Sequence, residues 1–321
     1  MEQISNKAKY AAFCETEKNI PVFLQPWWMD AVCINGEWEA LLYEEKGFIR
    51  GVLLYYTLKK YGFKMVLQPM LTQYNGIWLK YSESLSNKEK LSFEKKATAH
   101  LIKQLEEKIR FHFYRQNFTP KFTNWLPFYW KNYRQTTRYT YQIKDISDPE
   151  KCFSAFDYNK KAHIRKAEKE LTIDNNVTAD EFYAFLELYH SSQQKKVYYS
   201  KSFFARLYDS CIAKNSGKII AVKDQSGIMH AALFVVWDNE KGYDLISVIH
   251  PEHKNTGGST LVVFEAIKQL SEKVKVFDFE GSMIENVENS FSQFGTEQIP
   301  YFSIYKYNSV LLKMLLKFVK Q

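Results

Sequence analysis

Two carboxylates late in the chain are the strongest candidates for chemistry. In Phe277-Asp278-Phe279-Glu280-Gly281-Ser282 the aromatic and acidic residues alternate, which predicts a strand over 275–280 with Asp278 and Glu280 on one face. Carboxylates on an interior strand are unfavourable to bury unless they are paired or used in a reaction. We therefore predict that Glu280 or Asp278 is a catalytic general base for an amine nucleophile. The alternative is a pair neutralised by neighbouring Arg or Lys side chains.

A polar turn with paired glycines is the second candidate. It reads Lys254-Asn255-Thr256-Gly257-Gly258-Ser259-Thr260 and precedes an apolar-periodic helix. Backbone N–H groups at a helix N-terminus bind anions, and the glycines let the backbone approach a ligand closely. Lys254, Ser259 and Thr260 add side-chain donors. The turn therefore predicts a site for the phosphates of a cofactor or donor, with ordinary helix capping as the alternative. The spacing is not that of a nucleotide-hydrolysing P-loop.

Four further side chains are candidates for substrate binding. Lys161 and Arg165 recur at helical spacing in a basic run, and with Lys169 they define a cationic face that suits an anionic substrate. A solvated basic helix is the alternative reading of that face. Trp237 and Tyr301 stand near the ends of predicted strands, where an aromatic side chain can form the wall of a substrate pocket, although many aromatic residues of this chain belong to its core.

Composition limits the class of protein and its partners. The chain has 321 residues, 45% of them hydrophobic and 25% charged, which is typical of a folded globular protein of two domains. A net charge of +8 favours an anionic partner such as RNA, a phosphorylated donor or a membrane surface. The four cysteines form no metal-ligand spacing, so no metal is predicted. Free thiols and the absence of an apolar leader favour a cytoplasmic protein.

The order of predicted elements gives the fold class. Asp148-Pro149-Glu150 is a helix start, and we place a domain boundary there, between 1–147 and 148–321. The second part predicts three helices and three strands, then the helix after Gly258, a strand, a helix, a closing strand over 299–306 and a terminal helix. The first part has a looser version of this order. We predict an α/β (α+β) protein with a mixed central sheet flanked by helices in each domain.

The terminal segment has an amphipathic pattern. From Val310 to Lys320 its charges are confined to lysines on one helical side, and the other positions are apolar. Such a helix either packs onto its own domain or lies in a membrane interface, and docking is the favoured reading. Peripheral membrane contact through this segment is the alternative, and it would suit a lipid-linked acceptor.

Several segments together resemble a known family. Arg138-Tyr139-Thr140-Tyr141 leading into Ile164-Arg165-Lys166-Ala167-Glu168 resembles the entry to the second domain of Fem-type transferases. The segment 277–282, with Phe294-Gly295 and Pro300-Tyr301-Phe302, resembles the late strand, turn and closing strand of that family. The resemblance implies tandem GNAT-type (Gcn5-related N-acetyltransferase) domains: a degenerate one over 1–147 and an acyltransferase domain over 148–321 that keeps the donor site.

The resemblance also implies an activity. GNAT proteins bind the pyrophosphate of CoA at a loop before a helix, and Thr256–Thr260 stands at that place, although Lys254-Asn255-Thr256-Gly257-Gly258 departs from the usual form of the loop. We predict an N-acyltransferase that moves an acyl group from acyl-CoA to an amine acceptor. One alternative is a Fem-like transferase that uses aminoacyl-tRNA on a peptidoglycan precursor, although the long helical hairpin of some Fem proteins is missing. The other is a non-enzymatic RNA- or membrane-surface-binding protein.

Overall fold

The division of the chain into two compact units differs from the predicted boundary. The computed structural model describes residues 4–318. One unit contains the described residues up to Arg138 and from Pro300 onward, and the other is Tyr139–Ile299. The boundary after Arg138 therefore lies nine residues before the predicted boundary at 147/148, because 139–147 belong to the second unit. The C-terminal strand and helix belong to the first unit because they pair and pack with its elements.

The helices and strands follow each other in an alternating order. The described elements up to the division are α1 (Asn6–Thr16), a 3-10 turn (Val22–Leu24), α2 (Pro26–Val32), β1 (Glu37–Glu45), β2 (Phe48–Lys60), β3 (Phe63–Leu67), β4 (Gly76–Leu79), α3 (Asn87–Lys108), β5 (Phe113–Asn117), α4 (Leu126–Trp130) and β6 (Arg134–Ile143). Those that follow are α5 (Pro149–Ala155), α6 (Tyr158–Glu170), β7 (Thr172–Asp174), α7 (Ala179–Ser192), α8 (Lys201–Ala213), β8 (Gly217–Lys223), β9 (Met229–Trp237), β10 (Lys241–Ile249), α9 (Gly258–Leu270), β11 (Val276–Asp278), α10 (Glu285–Ser292), β12 (Glu297–Tyr307) and α11 (Val310–Phe318).

The first unit is a mixed sheet with α3 against one face. Its strands pair in the order β1-β2-β3-β5-β12, with β4 also paired to β2, and only the β3–β5 pair is parallel. Ser86 caps α3 and forms a capping box with Glu89, which satisfies backbone N–H groups at the helix start. The side chains of Ala97, Leu101 and Leu105 on α3 are buried. The sheet and helix of this unit therefore follow from local sequence signals.

The second unit is also a mixed sheet, in the order β6-β11-β10-β9-β8-β7. The β10–β11 pair is parallel and the remaining pairs are antiparallel. Helix α9 buries Leu261, Val262 and Ile267 in a core to which α6 contributes Ile164 and Ala167. Both units confirm the predicted class, a mixed sheet flanked by helices. None of the helices within the described residues combines the length and the apolar character that a membrane crossing requires.

Candidate active site

The second unit has an opening in its sheet between β10 and β11. These parallel strands pair over only three residues, and the last pair is Tyr243 opposite Asp278, where β11 ends. Strand β10 continues to Ile249, with an irregularity in its pairing to β9 immediately after Asp244. We call the space beyond the last pair the wedge. It lies at the C-terminal end of β11, beside the continuing strand β10, and ligands of α/β sheets bind at the C-terminal ends of parallel strands.

Asp278 at the end of β11 has a structural role. It is fully buried, and the hydroxyl of Thr140 donates to its Oδ1. The Gln142 amide donates to Oδ2 at 2.7 Å, and the backbone N–H of Glu280 donates to Oδ1 at 2.9 Å. These donors satisfy the hydrogen-bonding capacity of a carboxylate that lies in the core. Asp278, predicted as one of two catalytic candidates, therefore anchors the turn that carries the other.

Glu280 leaves the strand in an unusual backbone conformation. The sequence predicts a strand to residue 280, but the structure ends it at Asp278, and Glu280 has φ +57°. Gly281 follows with φ +68°, and a Cβ there would stand 2.1 Å from the carbonyl oxygen of Tyr139. Left-handed non-glycine residues are uncommon and gather at functional sites. This turn redirects the Glu280 side chain away from the strand alternation that the sequence suggested.

The Glu280 carboxyl group lacks the hydrogen bonds that hold Asp278. Its Oε1 is buried and has no hydrogen-bond partner among the described residues. Burial raises the pKa of Glu280 well above its ordinary value, and the negative charges of Asp278 and then Asp244 raise it further. A carboxyl group in this state holds its proton more tightly than an exposed glutamate does. Glu280 is therefore the better of the two predicted bases.

Two residues near Glu280 were missed by the sequence reasoning. Asp244 lies in β10 at the irregular position, accepts a hydrogen bond from the Ser247 hydroxyl at 2.6 Å, and has its pKa raised by burial to about 6. Burial, with a smaller effect of the Glu280 charge, raises the pKa of the Tyr198 phenol to about 12. An acidic residue inside the apolar run Tyr243-Asp244-Leu245-Ile246 was the available signal for Asp244. Nothing in the sequence connected Tyr198 with Glu280.

The predicted donor loop forms the N-terminus of α9. The helix begins at Gly258, and its N-cap Gly257 has φ +84°. Within residues 4–318 the backbone N–H groups of Gly257 and Ser259 have no hydrogen-bond acceptor. The Thr256 hydroxyl donates to the His253 carbonyl, and Thr260 is buried, so these two side chains serve the loop itself. The amides at this positive helix end are free to bind an anion.

Close packing explains why both positions are glycine. A Cβ on Gly257 would stand 2.3 Å from the carbonyl oxygen of His163 on α6. A Cβ on Gly258 would lie 3.1 Å from Val222. The Lys166 ammonium of α6 reaches the carbonyl oxygen of Asn255 at 3.4 Å, which brings a cation to the loop. The glycines therefore permit a tight contact between α6 and the start of α9.

The predicted cationic face of α6 does not point at this loop. Lys161 donates to the carbonyl oxygen of Ser154, and the Arg165 guanidinium lies over the Phe153 ring, so both side chains face α5. The residue of α6 that packs against Gly257 is His163. Residues two positions apart on a helix point about 200° apart, so Lys161 and Arg165 lie on the other side of α6 from this contact. Lys254 is exposed at the loop.

Histidines of the second unit support the loop. His230 contacts the Thr256 hydroxyl through Nδ1 and the Asp224 carboxylate through Nε2, both at 3.2 Å. Its ring stacks on His253 with centroids 4.1 Å apart. These contacts fix Thr256 and therefore the path of the backbone into Gly257. Sequence analysis did not identify His230, because its partners are distant in the chain.

The two aromatic residues predicted as pocket walls lie elsewhere. Trp237 is buried in the core of the second unit and pairs with Gly242 at the start of β10, the end opposite to the α9 loop. Tyr301 is a residue of the first unit, where its hydroxyl accepts a hydrogen bond from Arg138 and its ring packs edge-on against Tyr74. Strand ends were the right positions to inspect, but the sequence did not reveal which sheet edge each strand end would join.

Helix α6 contains a buried lysine, Lys160. Lys160 donates to the Ser290 hydroxyl, lies 4.4 Å from the centre of the Phe294 ring, and has its pKa lowered by burial to about 8. The sequence contained it in the basic run without distinguishing it from exposed neighbours.

Within the described chain, no group of three His, Cys, Asp or Glu side chains is arranged to hold a metal ion.

Comparison with known protein families identifies part of the chain. Residues 154–286 match the acetyltransferase (GNAT) domain. This segment includes the wedge, the α9 loop and Glu280. No curated protein sequence matches the chain.

Solved structures extend the likeness to nearly the whole chain. FemX is similar with a TM-score of 0.68 at 13% identity, covering 94% of this chain and 97% of FemX. A tandem GNAT protein from the clavulanic acid biosynthesis pathway is similar with a TM-score of 0.54 at 10% identity, covering 94% of both chains. L-PGS from Bacillus licheniformis has a TM-score of 0.55 at 12% identity, covering 98% of this chain and 97% of its own. At these identities the likeness concerns the fold.

Proposed function

We propose that the protein transfers an acyl group from a phosphate-bearing donor to an amine, with Glu280 as general base. Residues 154–286 match the acetyltransferase (GNAT) domain, and nearly the whole chain is similar in fold to FemX, which supports this proposal. The observation that carries this proposal is the unpartnered, buried Glu280 carboxyl group in the wedge, with its raised pKa. A base works best when its pKa approaches the operating pH.

The donor binds through its phosphates at the start of α9. The free N–H groups of Gly257 and Ser259, together with the positive end of the helix dipole, fit a pyrophosphate. A Cβ at Gly257 would overlap the His163 carbonyl oxygen, and a Cβ at Gly258 would be in tight contact with Val222, so neither position favours a side chain. We propose acyl-CoA as the donor, because its pyrophosphate fits the free N–H groups of this loop.

The reaction needs no covalent intermediate on the enzyme. Glu280 accepts a proton from the attacking amine, whose nitrogen forms a bond to the donor carbonyl carbon. The carbon–sulfur bond of the thioester then breaks, and the departing thiolate takes a proton. Positioning of the two reactants and proton removal supply the rate enhancement, so no Ser, Cys or His nucleophile is required.

An aminoacyl-tRNA donor is the second candidate, in which the bond that breaks is the carbon–oxygen bond of the ester. The overall likeness to FemX supports it, because that likeness covers nearly the full length of both chains. The amine acceptor in this case is a peptidoglycan precursor. The same base and the same wedge serve both donors, so the two proposals differ in the donor at the loop, in the bond that breaks and in the acceptor.

A transfer assay with radiolabelled donors tests the proposal and separates the candidates. Purified protein is incubated with acetyl-CoA or with aminoacyl-tRNA, in each case with and without a panel of amines that includes a peptidoglycan precursor. We expect amine-dependent consumption of acetyl-CoA and formation of a labelled amide. Labelled product formed with aminoacyl-tRNA and not with acetyl-CoA would identify aminoacyl-tRNA as the donor. Absence of amine-dependent consumption of either donor would contradict the proposed function.

A further inference from the structure

The first unit contains a cavity of about 610 Å³ that the proposed function does not use. It lies over one face of β5, β12 and the start of β6, beside helix α11. Its described lining consists of Phe113, Arg115, Asn132, Arg134, Thr136, Arg138, Ser303, Tyr305, Lys306, Tyr307, Asn308, Ser309, Val310, Lys313 and Leu316. All of these residues belong to the first unit. The volume is in the range of small-molecule sites, roughly 300–1,000 Å³.

The lining carries positive charge without compensation. Arg134 and Arg138 are separated by an even number of positions on β6 and therefore share a face of the strand. Arg115 lies on β5, where it pairs with Tyr305 of β12. The described lining contains no acidic residue, and within residues 4–318 none of the three arginines forms an ion pair. Lys306 differs, because Glu106 neutralises it at 2.7 Å. Three uncompensated guanidinium groups around one cavity favour an anion.

Helix α11 adds to the positive electrostatic potential of the arginines and closes one side of the cavity. The Ser309 hydroxyl accepts a hydrogen bond from the backbone N–H of Leu312 and so caps the helix start, which lies at the cavity. The positive end of the helix therefore faces the same space as the arginines. Leu312 packs against Met65 and Phe113, which holds the helix on the sheet.

The remaining lining is apolar and aromatic. Phe113, Tyr305, Tyr307 and Leu316 line the cavity, and the rings of Phe113 and Tyr307 lie 4.6 Å apart. We propose that this cavity is a second ligand site, which binds a phosphate group carried on a molecule with an apolar or aromatic part. Arginine forks bind the phosphate oxygens, and the ring surfaces accept the rest of the ligand.

The same ligand chemistry has two sources, a soluble phosphate compound and a phospholipid headgroup. The side of α11 away from the cavity bears on the choice, because Leu311, Met314 and Leu315 are exposed and are not among the lining residues. An apolar helix side next to a basic cavity suits the surface of an anionic bilayer. Lys320 ends the segment for which membrane contact was the alternative to docking, and it lies outside the described residues.

The test uses the full chain and removes the α9 loop as a competing site. In a Ser259→Asp protein, a carboxylate occupies the place of the donor phosphates, so titration with inorganic pyrophosphate reports the cavity. We expect saturable binding that weakens at least about tenfold when Arg134→Gln and Arg138→Gln are added, because each removes a charge-assisted contact. Lys131→Gln is the matched control, since this exposed lysine belongs to the same unit and is not among the lining residues.

A second arm separates the sources. Sedimentation with vesicles of phosphatidylcholine, with and without phosphatidylglycerol, is measured for wild type, the arginine double variant and Leu311→Gln. Pyrophosphate binding that depends on the arginines supports a soluble ligand. Binding to phosphatidylglycerol vesicles that depends on both the arginines and Leu311 supports a lipid headgroup. If neither probe binds, or if both bind equally to the arginine double variant with its folding intact, the proposal is wrong, while the proposed function at Glu280 is unaffected.

Discussion

Two buried clusters, one in each unit, hold their polar groups in different ways. In the first unit the buried amides of Gln116 and Asn75 are hydrogen-bonded: Gln116 donates to the Asn75 side chain and to the Leu54 carbonyl and accepts from the Tyr114 hydroxyl. In the second unit the wedge holds carboxyl groups, and that of Glu280 has an unpartnered buried oxygen. Neutral, satisfied amides stabilise a fold, whereas a buried carboxyl group without partners destabilises it.

The comparison distinguishes a structural cluster from a candidate reaction site. The second unit tolerates an unfavourable carboxyl group where two strands part, which is expected of a reaction site. Within the described residues, the first unit places three arginines that form no ion pair around a cavity. We infer that the acyl-transfer chemistry belongs to the second unit and that the first unit contributes binding.

The largest expected effect is the loss of turnover in Glu280→Gln. The amide cannot accept the proton of the attacking amine, so the transfer rate should fall by about 10² to 10⁴, the usual contribution of a general base. Donor affinity should stay near that of wild type. Glu272→Gln, an exposed residue after α9, is the matched control and should retain full activity. Wild-type turnover in Glu280→Gln would remove Glu280 from the mechanism.

Donor binding should respond next most strongly, to a charge at the α9 loop. Ser259→Asp places a carboxylate beside the free amides, where it competes with the donor phosphates, and affinity for acetyl-CoA should fall at least about tenfold. Ser259→Asn has nearly the same shape without the charge and should bind as wild type does. Calorimetric titration of both variants measures the effect. Equal affinities for the two variants would place the donor phosphates elsewhere.

The contrast between satisfied and unsatisfied carboxyl groups predicts opposite changes in stability. Asp278→Asn turns an amide N–H₂ toward a donor and should lower the free energy of unfolding by about 1–3 kcal/mol. Glu280→Gln should raise it at pH 8. The raised pKa means that native Glu280 holds its proton more tightly than the unfolded chain does, so its favourable contribution is complete below the ordinary value of 4.5 and is lost as pH rises through the native pKa.

Urea denaturation at pH 5 and pH 8 measures both variants. The advantage of Glu280→Gln over wild type should grow between the two pH values, because only wild type must ionise the buried carboxyl group. An advantage that is equal at both pH values, or greatest at pH 5, would contradict the raised pKa of Glu280.

The smallest expected effect is a displacement of the pH profile in Asp244→Asn. Turnover should rise with pH as Glu280 loses its proton, with the acidic limb well above pH 4.5. Removing the Asp244 charge lowers the pKa of Glu280, so the limb should move to lower pH. The Asn side chain keeps an acceptor for the Ser247 hydroxyl, which limits structural damage. A limb that does not move would exclude Asp244 from the electrostatics of the wedge.

Local sequence signals predicted the parts of the site that are continuous in the chain. The paired glycines, the helix that follows them and the acidic residues of 277–282 were all identified from their spacing. The helix start at Pro149 is confirmed as well, with Asp148 as its cap. These features depend on backbone conformations and caps set by neighbouring residues, so a sequence reveals them.

The relations between distant segments could not be predicted in this way. Asp244 and Glu280 meet because one strand ends early beside another, and Tyr198 comes from a loop of a different region. The return of Tyr301 to the first unit is equally a matter of tertiary pairing. Strand alternation also fails at Glu280, because the left-handed turn held by Asp278 overrides it.

The most direct test of the account is a titration of the Glu280 carboxyl group by NMR. Protein with isotope-labelled glutamate side chains is followed across pH, and the resonance absent from Glu280→Gln identifies Glu280. The account predicts that this resonance titrates well above pH 4.5 and above exposed Glu272. If Glu280 titrates together with the exposed glutamates, the wedge does not hold a base prepared to accept the proton of an amine, and the central claim is wrong.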